Sequence, residues 1–146
     1  MKKLVNLVLV LILGAFISTN VYGQQNNLDQ RLIGKWGVLS KSETESVKGV
    51  QRSMEEDTYT PGEKTYEFSA DNKITITEVE GQETETETKP AWMENGKLYI
   101  GKKKRNKAPY TIEYSGDNKI TLTKEEQDRD DGEIVTEVEK VVLERL

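Results

Sequence analysis

The sequence predicts an all-β protein: an antiparallel up-and-down β-barrel of about eight strands, with a short N-terminal helical turn. From Trp36 onward, apolar side chains alternate with polar ones in short runs. Turn-forming residues separate these runs, and no later segment keeps a helical period for long. Because closing a long meander removes its exposed edges, a barrel is the economical arrangement.

The N-terminus has the pattern of an export signal. Lys2 and Lys3 precede an apolar run at 4–17, and Val21-Tyr22-Gly23 ends in a small residue before Gln24. We therefore expect a cleaved secretory signal peptide over 1–23 and a single β-barrel domain over 24–146. The apolar run is shorter than the ~20 residues that a bilayer-spanning helix needs.

The expected location of the mature chain is the periplasm or the exterior. No Cys follows the apolar run, so a lipid-anchored lipoprotein is excluded, and no stable membrane insertion is expected after signal cleavage. Stability must come without disulfides, since the chain has no Cys at all.

Composition narrows the chemistry further. The chain has no His and no Cys, which excludes thiol nucleophiles, Ser-His-Asp triads and His- or Cys-ligated zinc or copper sites. Asp and Glu number 26 against 21 Lys and Arg, a formal net charge of −5, so nucleic acid is a poor candidate partner. We expect no enzymatic activity, no cofactor and no metal.

The first predicted element is one turn of helix at 28–33, capped by Asn27, whose side chain would accept from a free backbone donor. The strands follow. Their alternating apolar residues are Trp36 and Val38; Tyr66 and Phe68; Ile74 and Ile76; Leu98 and Ile100; Tyr110, Ile112 and Tyr114; Ile120 and Leu122. The turn signals are Pro61-Gly62, Asp71-Asn72, Glu80-Gly81, Asn95-Gly96, Gly116-Asp117-Asn118 and Asp131-Gly132.

One hairpin sequence occurs twice. The segments 67–77 (EFSADNKITIT) and 113–123 (EYSGDNKITLT) differ only by Phe/Tyr, Ala/Gly and Ile/Leu exchanges. We interpret this as the same structural hairpin, in which Phe68 faces Ile74 and Tyr114 faces Ile120 across the turn.

The start and end of the predicted barrel resemble a known family. Gly34-Lys35-Trp36, which opens the first strand after the helical turn, is similar to the Gly-x-Trp signature of lipocalins and of small lipocalin-like secreted bacterial domains. In that family the Trp packs at the closed end of the barrel, and an Arg of the last strand lies across it. The resemblance implies this role for Trp36 and Arg145, with a cation–π contact between them. Val141, Leu143 and Arg145 share one strand face, whereas Val138 has the opposite parity, which requires a bulge or a change of covered face.

Five aromatic residues are the candidate ligand-binding set, because they are expected to face inward or to rim the barrel: Tyr66, Phe68, Trp92, Tyr110 and Tyr114. Plain core packing is the alternative interpretation. Since apolar residues are few, a roomy apolar cavity is less well supported than a shallow or polar pocket at the open end.

Three charged segments have both a structural and a functional interpretation. Glu83, Glu85 and Glu87 alternate with Thr, which predicts an outward, solvated strand face or a cation-attracting strip. The acidic 128–133 segment is interpreted as a charged hairpin turn rather than a calcium loop. The basic 102–107 segment is either a solvated loop or a contact for an anionic ligand, polysaccharide or lipid head group.

The resemblance implies a secreted, non-catalytic protein that binds a small hydrophobic or amphipathic ligand at the open end of its barrel. Two alternatives remain at this stage. One is a protein–protein interaction or inhibitor module of the cell envelope, with a filled barrel and an unknown protein partner. The other is a hydrolase or isomerase that uses buried carboxylates or tyrosines.

Overall fold

The computed structural model describes residues 27–146, and all of its regular structure is β. The proposed signal peptide lies outside the described residues. The nine strands are β1 Gly34–Val47, β2 Val50–Thr58, β3 Lys64–Ser69, β4 Lys73–Glu80, β5 Glu83–Glu94, β6 Lys97–Ile100, β7 Tyr110–Ser115, β8 Lys119–Asp130 and β9 Glu133–Arg145.

The strands form one antiparallel sheet in the order β2-β1-β3-β4-β5-β6-β7-β8-β9, and a further pairing of β1 with β9 closes it. Eight strands therefore make the barrel, and β2 is an extra strand beside β1. The predicted all-β, antiparallel barrel is confirmed, and the six turn signals of the sequence all fall at strand connections.

The predicted helical turn is wrong. Among the described residues no helix occurs, and 28–33 instead contains a hydrogen-bonded turn, closed by the Leu32 amide donating to the Asp29 carbonyl at 2.8 Å. Within this turn the Asp29 side chain accepts the Arg31 N–H at 2.9 Å, and the Asn27 side-chain oxygen accepts from the Asn72 amide group at 3.4 Å. Leu28 and Leu32 are buried in the core, so packing rather than helical hydrogen bonding fixes this segment.

β1 changes its neighbour halfway along its length. Gly34–Gly37 pairs with β3, whereas 40–47 pairs with β2, and both halves pair with β9. The register with β9 shifts between Val38 and Ser40, so Leu39 is a bulge. β9 itself pairs with β8 without a register shift, so Val138 lies on the strand face opposite Val141, together with Lys140 and Val142.

β2 and the end segments of three other strands extend the sheet beyond the closed barrel. We call this part of the sheet the arm: it consists of β2, 40–47 of β1, 133–140 of β9 and 124–130 of β8. Lys41 is the register partner of Val141, a core residue, so the face of the arm that carries Lys41 is continuous with the barrel interior.

The hydrophobic core occupies the opposite, closed end of the barrel. Its fully buried side chains are Leu32, Trp36, Val38, Phe68, Ile74, Leu98, Ile120, Leu122, Val141 and Leu143. These residues fill the closed half from all sides of the wall. Any site that the barrel offers must therefore lie at the open end or on the outer surface.

Candidate functional site

The closed end carries the three residues of the predicted structural signature. The Arg145 guanidinium lies 4.3 Å from the centre of the Trp36 ring and donates to the carbonyls of Arg31, Ile33 and Asp117. The Trp36 indole N–H donates to the Leu32 carbonyl at 2.8 Å. Gly34 has φ of +130°, and a Cβ at this position would lie 2.9 Å from an Arg145 nitrogen. The contact that the resemblance implied is present, and it seals the barrel.

Two of the predicted ligand-binding aromatics belong to this sealed end. Phe68 is 1% exposed and lies in the core. Tyr114 packs under the N-terminal turn: its hydroxyl donates to Asp29 at 3.2 Å, and the Arg31 guanidinium lies 4.0 Å from its ring centre. Burial raises the pKa of Tyr114 to about 12, with a further contribution from the Asp29 charge. Phe68 and Tyr114 therefore pack within the closed end of the barrel and stabilise it.

Trp92 lies on the outer surface of the wall. Its neighbours Ala91 and Met93 pack in the core, so strand alternation directs Trp92 outward, opposite Tyr99 of β6. The two rings stack with centroids 5.2 Å apart. The inward orientation expected for Trp92 is therefore wrong, because the sequence does not reveal which face of β5 is covered.

Tyr66 and Tyr110 are the two predicted aromatics that the structure brings to the open end. Tyr66 is 8% exposed and forms the upper layer of the core, and Tyr110 is half-buried beside it on the inner wall. The Tyr110 hydroxyl donates to the Glu139 carboxylate, and Lys41 and Lys124 lie 3.6 and 3.8 Å from the same carboxylate. Aromatic rings thus form the floor of the barrel mouth, with a charged cluster directly above.

The electrostatics of this cluster follow from its burial and pairing. Desolvation, together with the hydrogen bond to Glu139, raises the pKa of Tyr110, so its hydroxyl stays protonated as a donor. Burial opposes the charge of Lys41, but its bond to Glu43 and the nearby Glu139 raise the pKa of Lys41 overall. The same bond lowers the pKa of Glu43. At neutral pH the floor therefore carries fixed charges and a fixed donor.

Above this cluster the inner face of the arm is acidic. Two rows of register partners cross the strands there: Glu55, Glu43 and Glu139 in the lower row, and Glu45, Glu137 and Glu126 in the upper row. Carboxylates that are direct partners on adjacent strands repel each other. Within the described residues, Glu45, Glu55 and Glu137 form no ion pair, and Lys124 reaches Glu126 only at 3.7 Å.

These two rows line a cleft of about 290 Å³. Its walls are Glu43, Thr44, Glu45, Ser53, Glu55, Lys124, Glu126, Glu137, Val138 and Glu139. A cleft of this size accommodates a small organic molecule, and its walls offer carboxylates rather than apolar surface.

The strand with alternating Glu and Thr forms another side of the mouth. Glu87 is the register partner of Ile76, and Glu85 that of Glu78, so these acids share the face of β4 and β5 that leads into the barrel. Thr75 and Thr77 pair their hydroxyls with Thr88 and Thr86 on the outer face. The acids are exposed as predicted, but they stand on the barrel side of the sheet and add to the negative charge of the mouth.

Sequence reasoning missed the arm and its charged residues. Lys41, Glu43 and Glu45 lie in a run without apolar alternation, and β2 is exposed along its whole length. One signal was available: Glu43 and Glu45 in β1 and Glu137 and Glu139 in β9 recur at the strand period of two, which places each pair on one face.

Two further structural facts bear on function. Within residues 27–146, no cluster of three or more acidic side chains has the geometry to hold a metal ion. Across the same residues, no helix has the length and apolar character to cross a membrane.

Comparisons with known proteins give a likeness in structure alone. No family model matches the chain, and no curated protein matches it. The chain is similar in structure to a protein of unknown function of the DUF3598 family from Nostoc punctiforme, with a TM-score of 0.39 and 12% sequence identity. The alignment covers 82% of this chain and 50% of that protein, so this chain spans half the length of its structural neighbour. A likeness at this level carries no argument about function.

Proposed function

We propose that this chain is a non-catalytic binding protein, exported by its signal peptide, whose barrel mouth takes a small organic amine. The observation that carries this proposal is the pair of carboxylate rows on the inner face of the arm, which are held opposite one another without enough cations to balance them. A bound amine relieves this repulsion, because its positive charge lies between carboxylates that otherwise repel.

The floor of the mouth supports a ligand with an apolar part as well as a charge. Tyr110 and Tyr66 present rings below the acidic rows. The Lys124 ammonium already lies 5.6 Å from the centre of the Tyr110 ring, so a cation is accommodated at this position. The ion pairs of Lys124 are long, at 3.7 and 3.8 Å, and a ligand amine competes with them directly.

A purely apolar ligand is a poorer fit. The closed half of the barrel is filled by its own side chains, and the cleft above it is lined mainly by charged and hydroxyl groups. Burying an apolar molecule there would desolvate carboxylates without offering them a partner, which is costly. We therefore place the ligand among amphipathic cations rather than among fatty acids or other neutral apolar molecules.

Isothermal titration of the purified protein with spermidine tests this proposal. The double variant Glu45→Gln/Glu137→Gln removes two of the three charges of the upper row and is expected to weaken spermidine binding about tenfold at low ionic strength. Glu56→Gln is the matched control, since Glu56 lies in the same arm but on its outer face. The control should bind spermidine as the unmodified protein does.

Decanoate is the comparison ligand, since it has an apolar tail and the opposite charge. We expect no binding of decanoate at concentrations that saturate the protein with spermidine. Tighter binding of decanoate, or equal spermidine affinity in the double variant and the control, would overturn the proposal.

A second candidate function, an interaction module of the envelope, is favoured by one feature of the arm. The Tyr59 N–H donates to the Leu39 carbonyl, so by antiparallel alternation Met54, Glu56 and Thr58 direct their backbone groups away from β1. Within residues 27–146, no strand pairs with the edge of β2 that these groups face. An exposed edge accepts an added strand from a partner protein. The test is to purify the protein together with any partner and to repeat this with Met54→Pro, which removes a backbone donor from the exposed edge. A partner that co-purifies with the unmodified protein but not with Met54→Pro, together with no binding of spermidine, would favour this function.

A further inference from the structure

The loop 101–109 between β6 and β7 concentrates positive charge in an acidic protein. Its cations are Lys102, Lys103, Lys104, Arg105 and Lys107, and it has no acidic residue. Within the described part of the chain, none of these cations forms an ion pair. The loop therefore presents uncompensated charge to the solvent, whereas the chain as a whole carries a formal net charge of −5.

The packing of Lys107 shows how closely these cations gather. Its side chain folds back over Gly101, where an added Cβ would lie 3.2 Å from the Lys107 ammonium. Burial lowers the pKa of Lys107, and the charges of Lys104, Lys124 and Lys89 lower it further, while the charge of Glu126 acts in the opposite direction. Cations from the loop, from β5 and from β8 thus act on one another at this corner of the barrel.

Beside the loop lies a buried hydrogen-bond donor without an acceptor. Trp92 is 7% exposed, and its indole N–H has no hydrogen-bond partner among the described residues. Lys103 of the loop lies over the same indole, with its ammonium 5.2 Å from the ring centre. Native proteins satisfy nearly all buried polar groups, so an unpaired indole N–H next to unpaired cations calls for an explanation.

We propose that the 101–109 loop and the Trp92 indole form a binding site for an anionic polysaccharide. Carboxylate or sulfate groups repeated along such a polymer match the successive cations of the loop. An anionic or hydroxyl oxygen of the same ligand accepts the hydrogen bond from the Trp92 indole when Lys103 turns outward to meet it. One ligand chemistry thus satisfies both sets of unpaired groups.

Two other polyanions fit the site less well. Tyr99 stacks on one face of the indole and Lys103 covers the other, so Trp92 offers no open platform on which a nucleic-acid base stacks. Proteins that bind an anionic membrane surface insert apolar side chains that lie beside basic ones. The strongly exposed large apolar residues of the described chain all lie outside this loop: Val50, Met54, Ile134 and Leu146.

The neighbouring acidic arm sets the direction in which the polymer runs. Asn106 and Ala108 of the loop share a cleft with Glu125, Glu126, Asp128 and Glu137 of the arm. These carboxylates repel a polyanion, so the polymer lies on the outer side of the loop, over β5 and β6, and away from the mouth. The polysaccharide site is therefore separate from the amine site proposed above, and the failure of one leaves the other standing.

Tryptophan fluorescence of the purified protein, titrated with polygalacturonate, tests the proposal. The chain has two tryptophans, and Trp36 is fully buried at the closed end, so a change on binding reports on Trp92. We expect saturable binding that weakens with added salt. Dextran sulfate tests sulfate in place of carboxylate, and neutral dextran is expected not to bind.

Charge-removing variants locate the site. Lys102→Gln/Lys104→Gln/Arg105→Gln removes exposed cations of the loop and is expected to weaken polygalacturonate binding about tenfold or more. Lys35→Gln/Lys119→Gln is the control, because both lysines are exposed on β1 and β8, away from β5, β6 and the loop, and have no ion pair within the described residues. The control should bind within about twofold of the unmodified protein.

Trp92→Phe, followed by calorimetry, separates the indole N–H from the charge of the loop. Phenylalanine keeps an aromatic ring on Tyr99 but has no donor, so the free protein should remain folded while its polygalacturonate affinity falls several-fold. Unchanged affinity in this variant would overturn the role of the indole. Equal losses in the loop and control variants, or equal affinity for duplex DNA or phosphatidylglycerol vesicles, would overturn the polysaccharide site as a whole.

Discussion

At the scale of single residues, Arg145 connects the last strand to the segment that leads into the first strand. Its guanidinium covers the Trp36 ring and donates hydrogen bonds to three backbone carbonyls. A cation–π contact together with charge-assisted hydrogen bonds makes an Arg hard to replace by Lys, since the ammonium is a compact point charge without the planar fork.

We expect Arg145→Lys to lower the free energy of unfolding by about 1–3 kcal/mol, because it keeps the charge but loses the stacked, forked geometry. Denaturant unfolding measures this. Arg52→Lys is the control, since Arg52 is exposed on β2, and a shift within about 0.5 kcal/mol is expected for it. Equal stability of the two variants would contradict the sealing role of Arg145.

Asp29 makes part of the stability depend on pH. The side-chain hydrogen bond from Arg31 lowers the pKa of Asp29 below its ordinary value of 3.8, with a smaller contribution from Tyr114. A carboxyl whose pKa is lower in the folded state stabilises the fold fully at pH values above the unfolded pKa. This stabilisation disappears as the pH falls through the lower, folded value.

The expected result for Asp29→Asn is reduced stability at neutral pH and a difference from the unmodified protein that closes in acid. Unfolding curves collected between about pH 2 and pH 7 measure this difference. Asp130→Asn, at the exposed tip of β8, serves as the control. A deficit in the Asp29 variant that stays constant across this range would show that the ionised carboxylate is not the stabilising form.

Residue-level prediction from sequence succeeded where one face of a strand is apolar. Trp36, Phe68, Ile74 and Ile120 lie in the core, as their alternation with polar neighbours requires. Trp92 failed for a physical reason: alternation defines two faces, and a strand whose outer face is also covered gives no sign of which face is the interior.

At the scale of elements, the arm places like charges next to each other, and their repulsion destabilises it. Its strands pair in good register, yet the inner face sets Glu137 directly between Glu45 and Glu126 on the neighbouring strands. Like-charged residues that are direct partners in antiparallel sheets are destabilising. Solubility does not require this repulsion, because charges on any other exposed face provide solubility equally well.

Glu137→Gln is therefore expected to raise the free energy of unfolding of the ligand-free protein by about 0.5–1 kcal/mol at low ionic strength, because it relieves two repulsive contacts. Added salt should stabilise the unmodified protein more than the variant, since screening and substitution remove the same repulsion. Denaturant unfolding at two salt concentrations measures both effects. A variant less stable than the unmodified protein at low salt would contradict the proposed repulsion.

The elements themselves were predictable to different degrees. The repeated hairpin placed Phe68 opposite Ile74 and Tyr114 opposite Ile120, as predicted. β2 was invisible, because all of its residues are exposed and no apolar face marks it as a strand. What makes it a strand is its register with β1 through a tight turn at Lys48 and Gly49, both at positive φ, and a turn of this kind forms a hairpin whatever the apolar pattern.

At the scale of the whole molecule, charge is sorted rather than mixed. The arm and the strand pair β4–β5 carry the acids of the mouth, the 101–109 loop carries the cations, and the closed end is sealed by neutral packing and by Arg145. The barrel was predictable, since alternation and turns define a meander and closure removes its edges. The distribution of charge around its open end was not, because it depends on which strands outgrow the barrel.

Binding of an amine at the acidic mouth is the function proposed for this chain. The most direct test is an NMR titration of the isotopically labelled protein with spermidine, following the backbone amide of each residue. If the amine binds there, the amides of the acidic rows shift saturably and those at the closed end around Trp36 stay unchanged. The amides expected to shift are those of Glu43, Glu45, Glu126, Glu137 and Glu139. Spermidine that leaves these five amides unmoved, or that shifts amides over the whole surface without saturation, would contradict the proposed function.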